Sequence, residues 1–221
     1  MNSWTVVTGA NRGIGLALVN QLKSSGNRVL AVCRKSSKEL NQIGIDVIEG
    51  VDVTNPSSFK PLLKFLENSS VECLINNAGV LFRDGLESLS VEEIRLQFEV
   101  NALGPLFLTQ ALLTHFTQGS KVAIISSRMG SIADNTSGGM YGYRMSKSAA
   151  NMVGQSLSVD LKTIGVAVAV LHPGYVRTEM TGGRGYIDPE ESAKGLIERM
   201  DSLTLQNSGG FWHANGEILP W

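Results

Sequence analysis

The stretch Thr8-Gly9-Ala10-Asn11-Arg12-Gly13-Ile14-Gly15 decides how the rest of the chain is read. It closes the β-branched run Thr5 to Thr8 and opens directly into a segment with helix signals, Gly13 to Ser24. A glycine-rich turn between a strand and a helix presents backbone N–H groups, reinforced by the helix dipole, to a pyrophosphate. Glycine is needed because a Cβ would block the sharp turn, the approach of the phosphates and the packing of helix on strand. The spacing over Gly9, Gly13 and Gly15 is Gly-x-x-x-Gly-x-Gly, which departs from the Gly-x-Gly-x-x-Gly of the general dinucleotide fingerprint.

Outward from this turn, short apolar runs alternate with longer helix-like segments. The runs are Thr5 to Thr8, Arg28 to Cys33, Asp46 to Val51, Glu72 to Asn76, Lys121 to Ser126 and Val166 to Leu171, with a last strand near His213. The run from Val166 to Leu171 is apolar throughout, as expected of a parallel strand covered on both faces. Helices are predicted over Gly13 to Ser24, Pro56 to Asn68 and Tyr143 to Thr163. The rhythm is that of βαβ units. It predicts an α/β fold: a doubly wound, mostly parallel seven-stranded sheet with helices on both faces, Rossmann-like, in a single domain over residues 1–221. No repeat, low-complexity tract or Pro/Ser-rich linker marks an internal boundary. The Gly-rich stretch Thr181 to Tyr186 reads as a mobile loop and a candidate substrate lid.

Composition narrows the function classes. Of 221 residues 43% are apolar and 18% charged, enough to build a sizeable core. With 19 Lys+Arg against 20 Asp+Glu and no run of like charge, the chain lacks the basic face that a nucleic acid partner requires. Cys33 and Cys73 lie inside apolar runs and read as free buried thiols. Met1 to Val7 carries no basic leader and no long apolar stretch, which points to a cytoplasmic protein without membrane contact.

The residue closing the second strand discriminates between cofactors. An acid there binds a ribose 2′-hydroxyl, whereas an Arg accommodates a 2′-phosphate. Here it is Arg34, followed by Lys35, and Arg12 inside the glycine turn adds a second cation able to meet phosphate bidentately. NADP(H) is therefore expected in preference to NAD.

Tyr143 and Lys147, four residues apart on a predicted helix, share one face of it. A phenol titrates near pH ~10, so it exchanges protons at neutral pH only with a nearby cation to stabilise the phenolate. Lys147 supplies such a charge. Tyr141 offers no such pairing, since its i+4 residue is Met145.

Along almost its whole length the chain resembles the short-chain dehydrogenase/reductase family. Thr8 to Gly15 is similar to the family's Thr-Gly-x-x-x-Gly-Ile-Gly turn, and Asn76-Asn77-Ala78-Gly79 to its Asn-Asn-Ala-Gly segment. Asn101 resembles the helix-breaking active-site asparagine, Ser127 in Ile124-Ile125-Ser126-Ser127 the catalytic serine, and Tyr143 to Lys147 and Pro173-Gly174 follow in order. Ser126 is the competitor of Ser127, but the second serine of the pair matches the family position. The interval from Ser127 to Tyr143 is longer than usual, with Ala133 to Gly139 as an insertion. That insertion, the short segment after Thr178 and the ending Gly209 to Trp221 resemble the C-factor and sniffer-type carbonyl reductase branch.

The resemblance implies roles residue by residue. Catalysis falls to Asn101, Ser127, Tyr143 and Lys147, with Asn101 holding a water that links Lys147 to solvent. Cofactor contacts fall to Gly9, Asn11, Arg12, Gly13, Ile14, Gly15, Arg34, Asp52, Val53, Asn77, Ala78, Gly79, Tyr143, Lys147, Pro173, Gly174, Val176 and Thr178. NADPH would deliver hydride to an aldehyde, ketone or quinone carbonyl, with Tyr143 as proton donor. The alternative is an NADP-binding signalling or sensor protein of the C-factor kind with little turnover. Partners would be a small carbonyl or alcohol and a second copy of the chain, in a homodimer or homotetramer built on the helices 143–163 and 106–116. No metal is expected: His172 and His213 lack metal-like partners and should pack beside the cofactor loop and the last strand.

Overall fold

The computed structural model describes residues 3–221. Its strands are β1 (Ser3–Thr8), β2 (Val29–Val32), β3 (Asp46–Ile48), β4 (Ser70–Asn76), β5 (Phe116–Ile125), β6 (Ala167–His172) and β7 (Phe211–His213). They form one sheet in the order β3-β2-β1-β4-β5-β6-β7, every pair parallel. The helices are α1 (Gly13–Ser24), α2 (Lys38–Gln42), α3 (Lys60–Leu66), α4 (Val91–Phe98), α5 (Gly104–Ala111), α6 (Tyr141–Asp160) and α7 (Pro189–Asp201).

Alternate strand residues feed two separate cores, because successive Cβ atoms leave a strand on opposite faces. Val7, Ala31, Ile75, Ala123 and Ala169 pack with Leu18 and Leu22 of α1 and Leu196 and Met200 of α7. Their neighbours Val6, Leu30, Leu74, Val122 and Val168 pack on the other face with Leu62 of α3, Leu108 of α5 and Leu157 of α6. The apolar runs are thus strands buried twice. Gly154 lets α6 lie close on the sheet, since a Cβ there would sit 2.2 Å from Cγ2 of Val170.

Chain direction across the sheet reverses between β1 and β4, and ligands of open α/β sheets bind in the crevice at the carboxyl ends of the strands flanking such a point. That crevice receives the turn after β1 and Asn77-Ala78-Gly79 after β4.

Several boundaries differ from the sequence reading for identifiable reasons. The segment 56–68 starts as a 3-10 turn over Pro56–Phe59 and becomes α3 only at Lys60, because Pro61 has no N–H to bond the carbonyl of Ser57. β3 stops at Ile48, although the N–H of buried Val51 still reaches the carbonyl of Cys33 at 3.2 Å. α6 begins two residues before Tyr143 and ends at Asp160 in a 3-10 turn closed by Gly165 at φ 77. Its apolar residues divide: Ala150 and Leu157 are buried in the core, whereas Met145, Met152 and Val159 form an exposed stripe. Cys33 and Cys73 are free and buried, and burial pushes their thiols up to about 11 and about 12. Among the described residues, no helix is long and apolar enough to cross a membrane.

Candidate active site

The glycine turn and the Asn77 loop are one hydrogen-bonded unit. Thr8 Oγ1 accepts the N–H groups of Asn77 and Ala78, both at 3.0 Å, while Asn77 Nδ2 donates to the carbonyls of Thr8 at 2.9 Å and Gly9 at 3.2 Å. Gly9 is left-handed, at φ 62, and a Cβ on it would lie 2.9 Å from Ala78 Cα. Asn77 therefore braces the turn through its side-chain amide nitrogen. Asn11 Nδ2 donates to the carbonyl of Lys35 at 3.0 Å, which keeps Arg34 beside the turn. No side chain caps α1 and its first turn holds no acid, so the N–H groups that a helix start leaves unpaired face the crevice.

A cavity of about 430 Å³ opens here, and its wall contains every residue expected to contact a cofactor except Gly174 and Val176. Those two shape the loop from behind. Gly174 is at φ 90 with Ile187 and His213 packed against it, and Val176 is buried and bridged to Ile187. Cys33, Val80, Val100, Ile125, Ser126, Glu179 and Met180 also line the cavity. Glu179 was not expected here, and it forms an ion pair with Arg12, both side chains largely exposed. Arg12 thus faces an acid in the wall that it shares with Arg34.

At the inner end of the cavity, α6 brings Tyr143 and Lys147 in, 7% and 5% exposed. Lys147 Nζ donates to the carbonyl of Ile125 at 2.9 Å and lies 5.7 Å from the centre of the Tyr143 ring. Burial lowers the Lys147 ammonium to about 8. Burial also pushes the Tyr143 phenol up to about 12, with the Ser127 hydroxyl beside it pulling the other way. Burial thus sets the direction of the shift, and the phenol keeps its proton at neutral pH.

The two serines separate. Ser126 lines the cavity wall, but its hydroxyl donates to Asn151 Oδ1 at 2.5 Å. Ser127 Oγ starts the turn Arg128–Gly130, accepting the N–H of Met129 at 3.2 Å. That turn rests on α6 so closely that a Cβ on Gly130 would lie 2.7 Å from the carbonyl carbon of Lys147.

Asn101 sits where α4 and α5 are joined by a π turn, Glu99–Leu103. Pro105 explains the widening, since it has no N–H for the carbonyl of Asn101. The Asn101 side chain brackets Val80, accepting its N–H and donating to its carbonyl, each at 2.9 Å, and donates to Ser146 Oγ at 3.0 Å.

The residues 3–185 match the profile of the short chain dehydrogenase family. The chain belongs to that family. It is 44% identical to 1-hydroxy-2-glutathionyl-2-methyl-3-butene dehydrogenase of Rhodococcus sp. (strain AD45), over 99% of this chain and 100% of that protein. It is 42% identical to C-signal of Myxococcus xanthus, over 68% of this chain and 93% of that one. Among solved structures, an NADPH-bound carbonyl reductase from chicken fatty liver superposes with a TM-score of 0.90 at 28% identity, each chain covered completely. The resemblance to the C-factor branch is borne out, and the chain is an oxidoreductase of the short-chain dehydrogenase class.

Of two peripheral segments, the first departs from the expectation of a lid and the second turns outward, as its polar, glycine-bearing composition allows. The Gly-rich loop 181–186 does not line the cavity; it folds back on 175–178, with Gly183 N–H donating to the carbonyl of Thr178 and Tyr186 N–H to that of Tyr175. The wall is built instead by Thr178, Glu179 and Met180. The insertion after Ser127 turns outward and is tied to the chain's end, Ala133 N–H donating to the carbonyl of Trp221 at 2.9 Å.

His172 and His213 pack edge to face, 4.8 Å between ring centres, as neighbours on β6 and β7. Burial, with smaller contributions from His213, Arg128 and Lys147, lowers His172 from 6.5 to about 3. The folded value lies below the unfolded one, so the stability held by the neutral ring is complete above about pH 6.5 and is lost as pH falls toward 3. A His172→Phe variant, followed by thermal melting from pH 7 to pH 4, is expected to lose stability less steeply than the wild type. Parallel profiles would contradict the assignment.

Proposed function

We propose that this short-chain dehydrogenase transfers hydride from NADPH to an aldehyde, ketone or quinone carbonyl, with Tyr143 as the proton donor. The observation that carries the reading is geometric: the buried Tyr143 ring lies 5.7 Å from Lys147 Nζ, and both residues share one cavity wall with the glycine turn. The residues fit such a cofactor. Gly9 and Gly15 let the turn close tightly on itself and on Asn77-Ala78, where a Cβ would collide, and the start of α1 directs N–H groups at a pyrophosphate. Arg34 would meet the 2′-phosphate, Asp52 and Val53 the adenine, Asn77, Ala78 and Gly79 the adenosine side, and Pro173 and Thr178 the nicotinamide carboxamide. When bound, the cofactor supplies the hydride.

The chain's own residues supply position and charge. Ser127 and Tyr143 donate hydrogen bonds to the carbonyl oxygen, so negative charge developing on that oxygen is met by fixed donors. Tyr143 then releases its proton to the oxygen. Lys147, held by the Ile125 carbonyl, passes a proton to the phenolate left behind and regains one from solvent through a water held at Asn101. The partner molecule is a small carbonyl or alcohol. The exposed stripe of Met145, Met152 and Val159 with Leu103 and Phe107 is the surface for a second copy, giving a homodimer or homotetramer. The similarity to C-signal favours a second reading, a signalling role for the same NADP-binding cavity.

NADPH and NADH oxidation against a panel of aldehydes, ketones and quinones tests the reading. Turnover with NADPH supports it, and turnover with NADH alone would contradict the Arg34 assignment. An Arg34→Glu variant is expected to lose NADPH affinity by roughly 10- to 100-fold, the worth of a charge-assisted phosphate contact, and to bind NADH no worse. An unchanged NADPH dissociation constant would remove Arg34 from the site.

A further inference from the structure

The segment after Asn77-Ala78-Gly79 is pinned at every second residue. Val80 is bracketed by Asn101, the Phe82 N–H donates to Gln97 Oε1 at 3.0 Å, and Asp84 reaches the first turn of α6. Asp84 Oδ1 accepts the N–H of Tyr141 at 2.5 Å, Oδ2 accepts that of Gly142 at 2.9 Å, and the Asp84 carbonyl accepts that of Met140 at 3.1 Å.

Three consecutive donors at the start of α6 are thus satisfied by one residue 56 to 58 positions earlier in sequence. A helix start leaves such donors unpaired unless a cap supplies acceptors. α6 has no cap of its own. Met140 holds the N-cap position in a left-handed conformation, φ 53, with no acceptor in its side chain, and the first turn contains no acid. A carboxylate at this end is also favoured by the helix dipole. Gly142 permits the close approach: a Cβ there would lie 2.4 Å from Gln97 Nε2 and 3.0 Å from Asp84 Oδ2. The residue directly after these capped positions is Tyr143.

We propose that Asp84 is a positioning residue for proton transfer, a cap supplied from a distant loop that fixes the start of α6 and with it the place of the Tyr143 hydroxyl in the cavity. The inference rests on the reading of Tyr143 as proton donor. The strap from Gly79 to Asp84 gives it a second consequence. Gly79 and Val80 line the cavity and Asp84 holds the helix, so the cofactor wall and the proton donor are set by one short segment. Asp84 itself lines no part of the cavity, which predicts that its loss harms turnover more than cofactor binding.

The full-length chain carrying Asp84→Ala or Asp84→Asn tests this. Hydrogen exchange at the Tyr141 and Gly142 amides reads the cap without turnover, and kcat against the NADPH dissociation constant reads its consequence. Asp84→Ala is expected to expose both amides and to lower kcat on the order of 10- to 100-fold, as small misplacements of a reacting group do, with NADPH binding nearly unchanged. Asp84→Asn keeps one side-chain acceptor and should recover part of kcat. Should Asp84→Ala not fold, the Asn variant decides, by an intermediate kcat at unchanged NADPH affinity. Wild-type kcat in either variant with the amides exposed would overturn the proposal alone. So would a loss of NADPH affinity as large as the loss of kcat, which marks a purely structural role. A wild-type chain that oxidises NADPH with no carbonyl would instead overturn the functional reading, and the proposal with it.

Discussion

A Tyr143→Phe variant is expected to lose turnover by about 10²- to 10⁴-fold, the usual worth of a positioned proton donor, while NADPH binds almost as before. The ring is buried and the substitution deletes only the hydroxyl, so the packing of α6 on the sheet is retained. The Ser127 hydroxyl is left without its neighbour, a cost of about 1 kcal/mol that the fold can absorb. Phe can neither donate to a carbonyl oxygen nor pass it a proton, and no second phenol replaces it: Tyr141, at the first position of α6, is over a third exposed and does not line the cavity. NADPH oxidation in the steady state, with a direct binding titration alongside, checks the expectation. Turnover within tenfold of the wild type would sink the assignment of Tyr143.

The second large effect is expected at Gly15. A Cβ there would lie 2.2 Å from the carbonyl oxygen of Gly9 and 2.6 Å from Asn77 Nδ2. Neither group can step aside cheaply. The Gly9 carbonyl is backbone of the turn, and Asn77 Nδ2 is bonded to Thr8 and Gly9, so relief means opening the joint between β1 and β4. Gly15→Ala should destabilise the chain by about 1–3 kcal/mol or more, lowering Tm by roughly 2–4 °C for each kcal/mol, and abolish measurable NADPH binding because the turn itself is displaced. Thermal melting and an NADPH titration provide the check. A variant with wild-type Tm and wild-type affinity would show that the turn does not hold a pyrophosphate in this geometry.

Much of the architecture was legible because it depends on local pattern. Period-two burial and unbroken apolar runs are properties of the strands themselves, and the two cores that take Val7 and Val6 respectively follow from that alternation. The helix boundaries were less legible. Pro61 and Pro105 each remove one backbone donor, and only the neighbouring packing decides whether the chain answers with a 3-10 turn, as before α3, or with a π turn, as at Asn101. The Gly-rich loop 181–186 shows a different failure. Its composition indicates freedom, yet its backbone is held by Thr178 and Tyr175, and composition carries no record of those partners.

The sequence by itself determined the alternation of strands and helices, the glycine turn at the end of the first strand, and the placing of Tyr143 and Lys147 on one helical face. Each is set by spacings of a few residues, over which covalent geometry alone fixes direction. Tertiary structure decided which serine faces the phenol, that Arg12 meets Glu179, and that Asp84 caps the helix of Tyr143. The partners in those contacts lie far apart in sequence, 25 residues for Ser126 with Asn151, 57 for Asp84 with Tyr141 and 167 for Arg12 with Glu179. No local period encodes such pairs, because they form only when β1, β4, β5 and β6 are brought side by side in one sheet.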